Sequence, residues 1–195
     1  MFGLNDAAIL VIQTLGSLYL LVVLLRFMLQ AVRANFYNPI SQFIVRATQP
    51  LLKPLRRVIP SMFGLDMSSL VLALVVQMVL FAIVLTLYGI PFNVLGLLIW
   101  APIGIFALFL KIWFFAMIIS VILSWVAPGS QSPGAELAYQ LSEPLLAPFR
   151  RIVPNLGGLD ISPILAFLVI QLLQQGLIPR LAYYAFMPRE LFGLI

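Results

Sequence analysis

Residues 50–77 read PLLKPLRRVIPSMFGLDMSSLVLALVVQ, and residues 144–171 read PLLAPFRRIVPNLGGLDISPILAFLVIQ. At this offset of 94 residues, 14 of the 28 positions are identical without a gap. The same offset pairs Pro39 with Pro133. Each copy opens in a stretch rich in proline and arginine and ends in an apolar run. The identity is densest in the polar stretch, where solubility in lipid alone would not impose it. The chain is a duplication, each half reading as span, connection, span. With two spans per half, the copies keep one orientation, related by an axis along the membrane normal.

Composition agrees. Of 195 residues, 63% are hydrophobic and 9% charged, against about a quarter charged in soluble domains. A transmembrane helix needs about 20 mostly apolar residues. Four stretches qualify: Ala7 to Val32, Leu70 to Tyr88, a run within Val94 to Val126, and Ile164 to Tyr184. The third run is too long for one straight span, and Trp100-Ala101-Pro102 is the expected break. The span then covers Pro102 to Val126, with Val94 to Trp100 a short interfacial or re-entrant turn. The fourth is expected to kink or fray at Pro179. The first is too long in its apolar part for a cleaved signal peptide, and nothing basic precedes it. The expected fold class is all-α: an integral membrane helix bundle of four transmembrane helices in two parallel-oriented repeats, each with an interfacial amphipathic helix. The expected division is a first repeat over 7–90, an inter-repeat loop or turn over 91–101, a second repeat over 102–185 and a tail over 186–195.

Lysine and arginine near span ends set orientation. Arg33, Arg46, Lys53, Arg56 and Arg57 lie between spans one and two, and Arg150 and Arg151 between spans three and four. Both connections are therefore expected in the cytoplasm and both termini outside it, in a bacterial inner membrane. Asn38-Pro39 and Ser132-Pro133 read as helix starts, a capping side chain before a first-turn proline. Ile40, Phe43, Ile44 and Ala47 then fall at helical spacing against Ser41, Gln42 and Arg46. In the second copy Leu137, Ala138 and Leu141 oppose Glu136, Gln140 and Glu143. Such helices lie in the membrane surface. Prolines 50, 54, 60 and 144, 148, 154 are expected to stop them. Gly64 to Ser68 and Gly158 to Ser162 read as the turn and cap opening the next span.

The motif P-L-L-x-P-[LF]-R-R-x-x-P-x-x-x-G-L-D-x-S, at Pro50 to Ser68 and Pro144 to Ser162, resembles that of the YggT family, also called YlmG. FYNPISQF around Pro39 is similar to the family too, so the resemblance covers essentially the whole chain. It implies a small bacterial or plastid membrane protein. It also implies links to osmotic stress and potassium balance, to cell division, or in plastids to nucleoid distribution and cytochrome maturation.

The chain has no Cys and no His. Disulfides, Cys or His zinc sites, c-type haem attachment and imidazole catalysis are excluded. Phosphate-binding glycine loops, HExxH and GxSxG are absent. No cofactor or metal is expected, and an enzyme ranks last among the functional classes. The net charge of +5 lies beside apolar runs, which favours anionic headgroups over nucleic acid. Nine of the eleven bases are arginine, whose planar fork suits phosphate oxygens.

The candidate residues each carry a plain reading beside a functional one. Arg56, Arg57, Arg150 and Arg151, with Arg46 and Lys53, contact lipid or a protein partner, or only anchor topology. Asp66 and Asp160, with Ser68 and Ser162, cap helices or pair with an arginine of either copy, each cap contributing about 1 kcal/mol; two carboxylates meeting at the axis would instead hold a cation. Lys111 and Arg26 are charges inside spans. Lys111 snorkels or makes a polar contact within the bundle, unless it serves transport. Gln77 and Gln171, at equivalent mid-span positions, bond between helices or line a polar path. The expected function is a non-enzymatic membrane scaffold or accessory protein in envelope or osmotic homeostasis. It would engage anionic lipid headgroups and an unidentified membrane-protein partner, with homo-oligomerisation open. The alternative is passage of a small ion.

Overall fold

The computed structural model describes residues 4–62, 64–152 and 160–195, with side chains from residue 7 onward. The turn expected at Pro154 and Gly158-Leu159 lies outside the described residues. Helix α1 spans Leu4–Ala31, α2 Pro39–Leu55, α3 Met67–Leu87 and α4 Val94–Val126. Then come α5 Pro133–Ile152, α6 Ser162–Leu172 and α7 Ile178–Tyr184, and a 3-10 segment at Arg189–Leu194. Among the described residues there is no strand, only an isolated bridge between Met62 and Leu65. Four helical stretches are long and apolar enough to cross a membrane: Ala7–Ala31, Met67–Leu87, Val94–Val126 and Ser162–Tyr184.

Helices α3 and α4 form the centre of the bundle. Gly104 makes their close approach: a Cβ there would lie 3.1 Å from Gln77 Cδ and 3.1 Å from Phe81 Cζ. Helix α1 packs along α3, and Gly16 fits beneath the Leu80 side chain. On the other flank α5, α6 and α7 pack on α4 around Ile103, Ala107, Met117, Ala166 and Ile170. The arginine-bearing connections of both repeats sit at one end of the bundle, the basic end. At the opposite end Trp100, Ala182, Met187 and Leu191 close a second core with Phe81 and Leu85. The tail is therefore built into the fold, with Leu191 and Leu194 buried.

Proline shapes these helices less than expected. The break at Trp100–Pro102 is absent, and Val94–Val126 is one helix of 33 residues with Pro102 inside it. At 1.5 Å per residue it is about 50 Å long, well beyond a hydrocarbon core of about 30 Å. A proline removes one bond, here to the Leu98 carbonyl, and packing by neighbouring helices tolerates that loss. Prolines 50 and 54 likewise lie inside α2, and 144 and 148 inside α5. Each pair is four residues apart, so both missing N–H groups fall on one exposed stripe and the buried stripe keeps its bonds. In the fourth span the irregularity falls before Pro179, as a π-helical turn over Leu173–Leu177. Pro179 cannot donate to the Gln175 carbonyl, and the wider turn accommodates this.

The amphipathic helices differ from one another. In α5 the buried face holds Leu137, Ala138 and Leu141, as expected, with Ala135, Ser142 and Leu146. In α2 the buried face is Ser41, Ile44, Thr48 and Leu52, while Ile40, Phe43 and Ala47 are exposed. The expected assignment of Ser41 to the outer face is thus corrected. Thr48 is drawn inward because it serves a buried arginine of α1.

Candidate functional site at the basic end

Asn38 caps α2 by accepting from the Ile40 N–H at 3.0 Å, and Pro39 follows in the first turn. Its amide also donates to the Pro133 carbonyl at 2.8 Å and to Glu136 at 3.0 Å. Asn35 donates to Glu136 at 2.9 Å and, through its backbone N–H, to Gln140 at 3.1 Å. These bonds stitch the α1–α2 corner of the first repeat to α5 of the second. Hydrogen bonds from Asn35 and Asn38 hold the Glu136 carboxyl below the usual range.

Arg26 is 6% exposed near the end of α1. It donates to the Val45 carbonyl at 2.9 Å, Thr48 at 2.7 Å and Gln49 at 3.2 Å, all on α2. Its Nε lies 3.9 Å from the carboxylate of Asp66, which is 2% exposed. Arg56 donates to the same carboxylate, and the Ser69 hydroxyl does so at 2.7 Å. Burial pushes the Asp66 carboxyl up, but the bonds from Arg56 and Ser69 and the charges of Arg56 and Arg26 outweigh it. The group titrates below the usual range. Asp66 stands at the start of α3 yet makes no side-chain cap bond to the helix. Ser68 donates to the Ile59 carbonyl at 2.9 Å, closing the same turn.

The second repeat builds a counterpart with altered charge. Arg150 donates to Asp160 at 2.9 Å and to Glu143 at 2.6 Å. Asp160 also accepts from the N–H and hydroxyl of Ser162. Burial raises the Asp160 carboxyl, and the bonds from Ser162 and Arg150 outweigh it, so it too titrates low. By the repeat offset Glu143 stands where the first copy has Gln49, and Ser120 where it has Arg26. One carboxylate between two guanidinium groups in the first repeat becomes one guanidinium between two carboxylates in the second. The two acids do not share a site: each is held within its own repeat.

The arginine pairs are thereby split. Arg56 and Arg150 brace the turns, while Arg57 and Arg151 are exposed, as are Arg46 and Lys53. Among the described residues none of these four exposed cations has a salt bridge. Farther along α4, the exposed Lys111 donates to the backbone oxygen of Ile195 at 2.6 Å. Gln77 and Gln171 stay apart. Gln77 is fully buried against Gly104, and its amide has no partner among the described residues. Gln171 accepts from Gln175 at 2.9 Å.

Sequence reasoning counts Arg33 among the basic residues of the connection and Ser41 on the outer face of its helix, but names neither as a site residue. Both line a cavity of about 650 Å³ together with Arg26, Arg56, Ile44 and Gly64. The Ser41 hydroxyl is buried without a partner among the described residues. Arg33 has φ +54°, the left-handed region that L-residues rarely occupy. The Ala34 N–H bonds to the Leu29 carbonyl at 2.8 Å and the Arg33 N–H to Gln30 at 3.0 Å. This is a Schellman closure with arginine at its usual glycine position. Helix α3 ends in the same closure with Gly89 there, at φ +68°. The signal available in the sequence was the repeat offset, which sets Arg33 against Ala127 and Ser41 against Ala135. On the far side of Leu29 and Ile44 lies an apolar groove of about 460 Å³ between the repeats, reaching Leu108, Ile112 and Leu137.

No solved structure matches the chain. The CCB3/YggT family profile matches residues 5–88 and 94–181. An uncharacterized protein of Pseudomonas aeruginosa is 61% identical over 193 residues, covering 98% of each chain. Uncharacterized protein YggT of Escherichia coli K12 is 39% identical over 169 residues, 85% of this chain and 86% of that one. YlmG homolog protein 2, chloroplastic, of Arabidopsis thaliana is 40% identical over 62 residues, 32% of this chain and 24% of that one. Four apolar spans, the doubled connection motif and two family segments covering nearly the whole sequence lead to one assignment: the chain is a multi-pass membrane protein of the CCB3/YggT family.

Proposed function

We propose that this protein is a non-enzymatic membrane scaffold or accessory protein acting in envelope or osmotic homeostasis, its basic end turned to the cytoplasm. There it engages anionic lipid headgroups and a partner complex. The observation that carries this reading is the set of exposed cations Arg46, Lys53, Arg57 and Arg151, unbridged among the described residues and next to exposed Phe43 and Leu51 on α2. Apolar side chains that enter the headgroup layer beside free cations are the chemistry of interfacial anchoring, at about 1 kcal/mol per basic group near an anionic surface. The test is native mass spectrometry of lipid retained from mixed phosphatidylglycerol and phosphatidylcholine. The variant Arg46→Gln/Lys53→Gln/Arg57→Gln/Arg151→Gln is expected to lose the preference for phosphatidylglycerol. An unchanged preference would reduce these residues to topology markers.

A second reading, ion passage at the repeat interface, draws on the unpartnered amide of Gln77 inside the bundle. Potassium flux through vesicles holding the purified protein, abolished by Gln77→Leu, would replace the scaffold reading.

A further inference from the structure

We infer that the cavity formed by Arg26, Arg33, Ser41 and Arg56 is a binding site for a phosphate group, present once per chain and only in the first repeat. The inference deepens the lipid-engaging reading above and rests on it for the direction the site faces. Three arginines line the cavity, and one carboxylate, Asp66, is held by Arg56 and lies 3.9 Å from Arg26, whose guanidinium also donates to α2. The local balance is two positive charges in excess, the charge of a phosphate monoester dianion. Arginine forks match tetrahedral oxygens, and charge-assisted bonds to them are the stronger kind.

Three further observations point to a ligand rather than to surface charge. Ser41 is 5% exposed and its hydroxyl is unpartnered among the described residues. A buried polar group without a partner is unusual in a settled fold. Arg33 is held in a backbone conformation that favours glycine, and such strain persists where the side chain is needed. The volume of about 650 Å³ falls in the range of small-ligand sites, about 300–1,000 Å³. The second repeat lacks this chemistry. At the repeat offset Arg26 becomes Ser120, Arg33 becomes Ala127 and Ser41 becomes Ala135, while Arg150 is occupied by two carboxylates.

A lipid headgroup and a soluble phosphate present the same oxygens, so the test runs both. The full chain in neutral detergent is titrated with inorganic phosphate, with glycerol 3-phosphate, and with short-chain phosphatidic acid against phosphatidylcholine, at ionic strength matched with chloride. Thermal midpoint is the readout. A saturable rise is expected with phosphatidic acid, and a rise with the soluble phosphates as well would identify a solute site. Arg33→Gly is expected to weaken the saturable binding about tenfold, the loss of one strong charge-assisted contact. Ser41→Ala is expected to weaken it several-fold, and Arg189→Gln, exposed at the opposite end of the bundle, to leave it intact. Both site variants keep a foldable chain, since one relieves backbone strain and the other removes an orphaned hydroxyl. No saturable rise from any phosphate, or equal affinity in Arg33→Gly and the unsubstituted chain, would overturn the inference. Loss confined to Arg57→Gln would place lipid at the surface, overturning the pocket and leaving the scaffold reading standing.

Discussion

Asp66 and Asp160 occupy the same place in the two repeats, yet neutralising them is expected to have unequal effects. Asp66 is 2% exposed and has the buried Arg26 Nε at 3.9 Å and Arg56 in direct contact. At an effective dielectric of 20, a unit pair at that separation is worth about 4 kcal/mol. Asp66→Asn leaves Arg26 buried without a counter-charge, a change that typically costs about 3–5 kcal/mol. Arg56 is partly exposed and can turn to water, which brings the expected loss to about 2–4 kcal/mol. Asp160 and its partner Arg150 are both more than a third exposed, and Arg150 keeps Glu143. Asp160→Asn is therefore expected to cost less than about 1 kcal/mol. Unfolding free energies of the two variants in one mixed micelle, measured at neutral pH, give the comparison. Equal losses, or a larger loss for Asp160→Asn, would refute the claim that the first repeat holds its charges in a buried network and the second at its surface.

Other expectations follow from the same geometry. The folded Asp66 carboxyl titrates below its unfolded value, so its contribution is complete above about pH 4 and is lost as pH falls through the folded value. Acid titration of the purified protein should show that loss, flattened in Asp66→Asn. Arg33→Gly relieves a left-handed residue and is expected to stabilise the ligand-free chain by up to about 1 kcal/mol; destabilisation would show that the arginine side chain is structural. Gly104→Ala must move Gln77 and Phe81, each 3.1 Å from the new Cβ, and is expected to cost about 1–3 kcal/mol. Gly176→Ala, which meets nothing within 4 Å, is the neutral control in the same unfolding assay. Gln77→Leu removes a buried amide that has no partner among the described residues and is expected to be neutral or stabilising.

The sequence makes the large features legible because lipid leaves so few alternatives. Long apolar runs must be helices, and a motif repeated at one offset must sit at equivalent places. The sequence leaves Asp66 and Asp160 open between capping a helix and pairing with an arginine of either copy, and the folded chain holds each against an arginine of its own copy. Proline was read too strictly. Pro50, Pro54 and Pro102 each delete a single bond, and the stripe or neighbour that absorbs it is set by tertiary packing. Ser41 lies on the buried face of α2 and not the outer one, and Thr48 joins it there; hydrophobicity cannot register its partner Arg26 on α1, 22 residues earlier. The departure from symmetry was present as Arg26 facing Ser120 and Gln49 facing Glu143. Its meaning required knowing that residues 26, 49, 56 and 66 converge.

The account rests on both arginine-bearing connections facing one compartment, the cytoplasm. The chain has no cysteine, so single replacements report cleanly. Ser61→Cys and Ser132→Cys mark the basic end, and Phe186→Cys the opposite end, all three positions being exposed. A membrane-impermeant maleimide added to spheroplasts is expected to label Phe186→Cys and to reach the other two only after the membrane is opened. Labelling of Ser61→Cys or Ser132→Cys in sealed spheroplasts would contradict it.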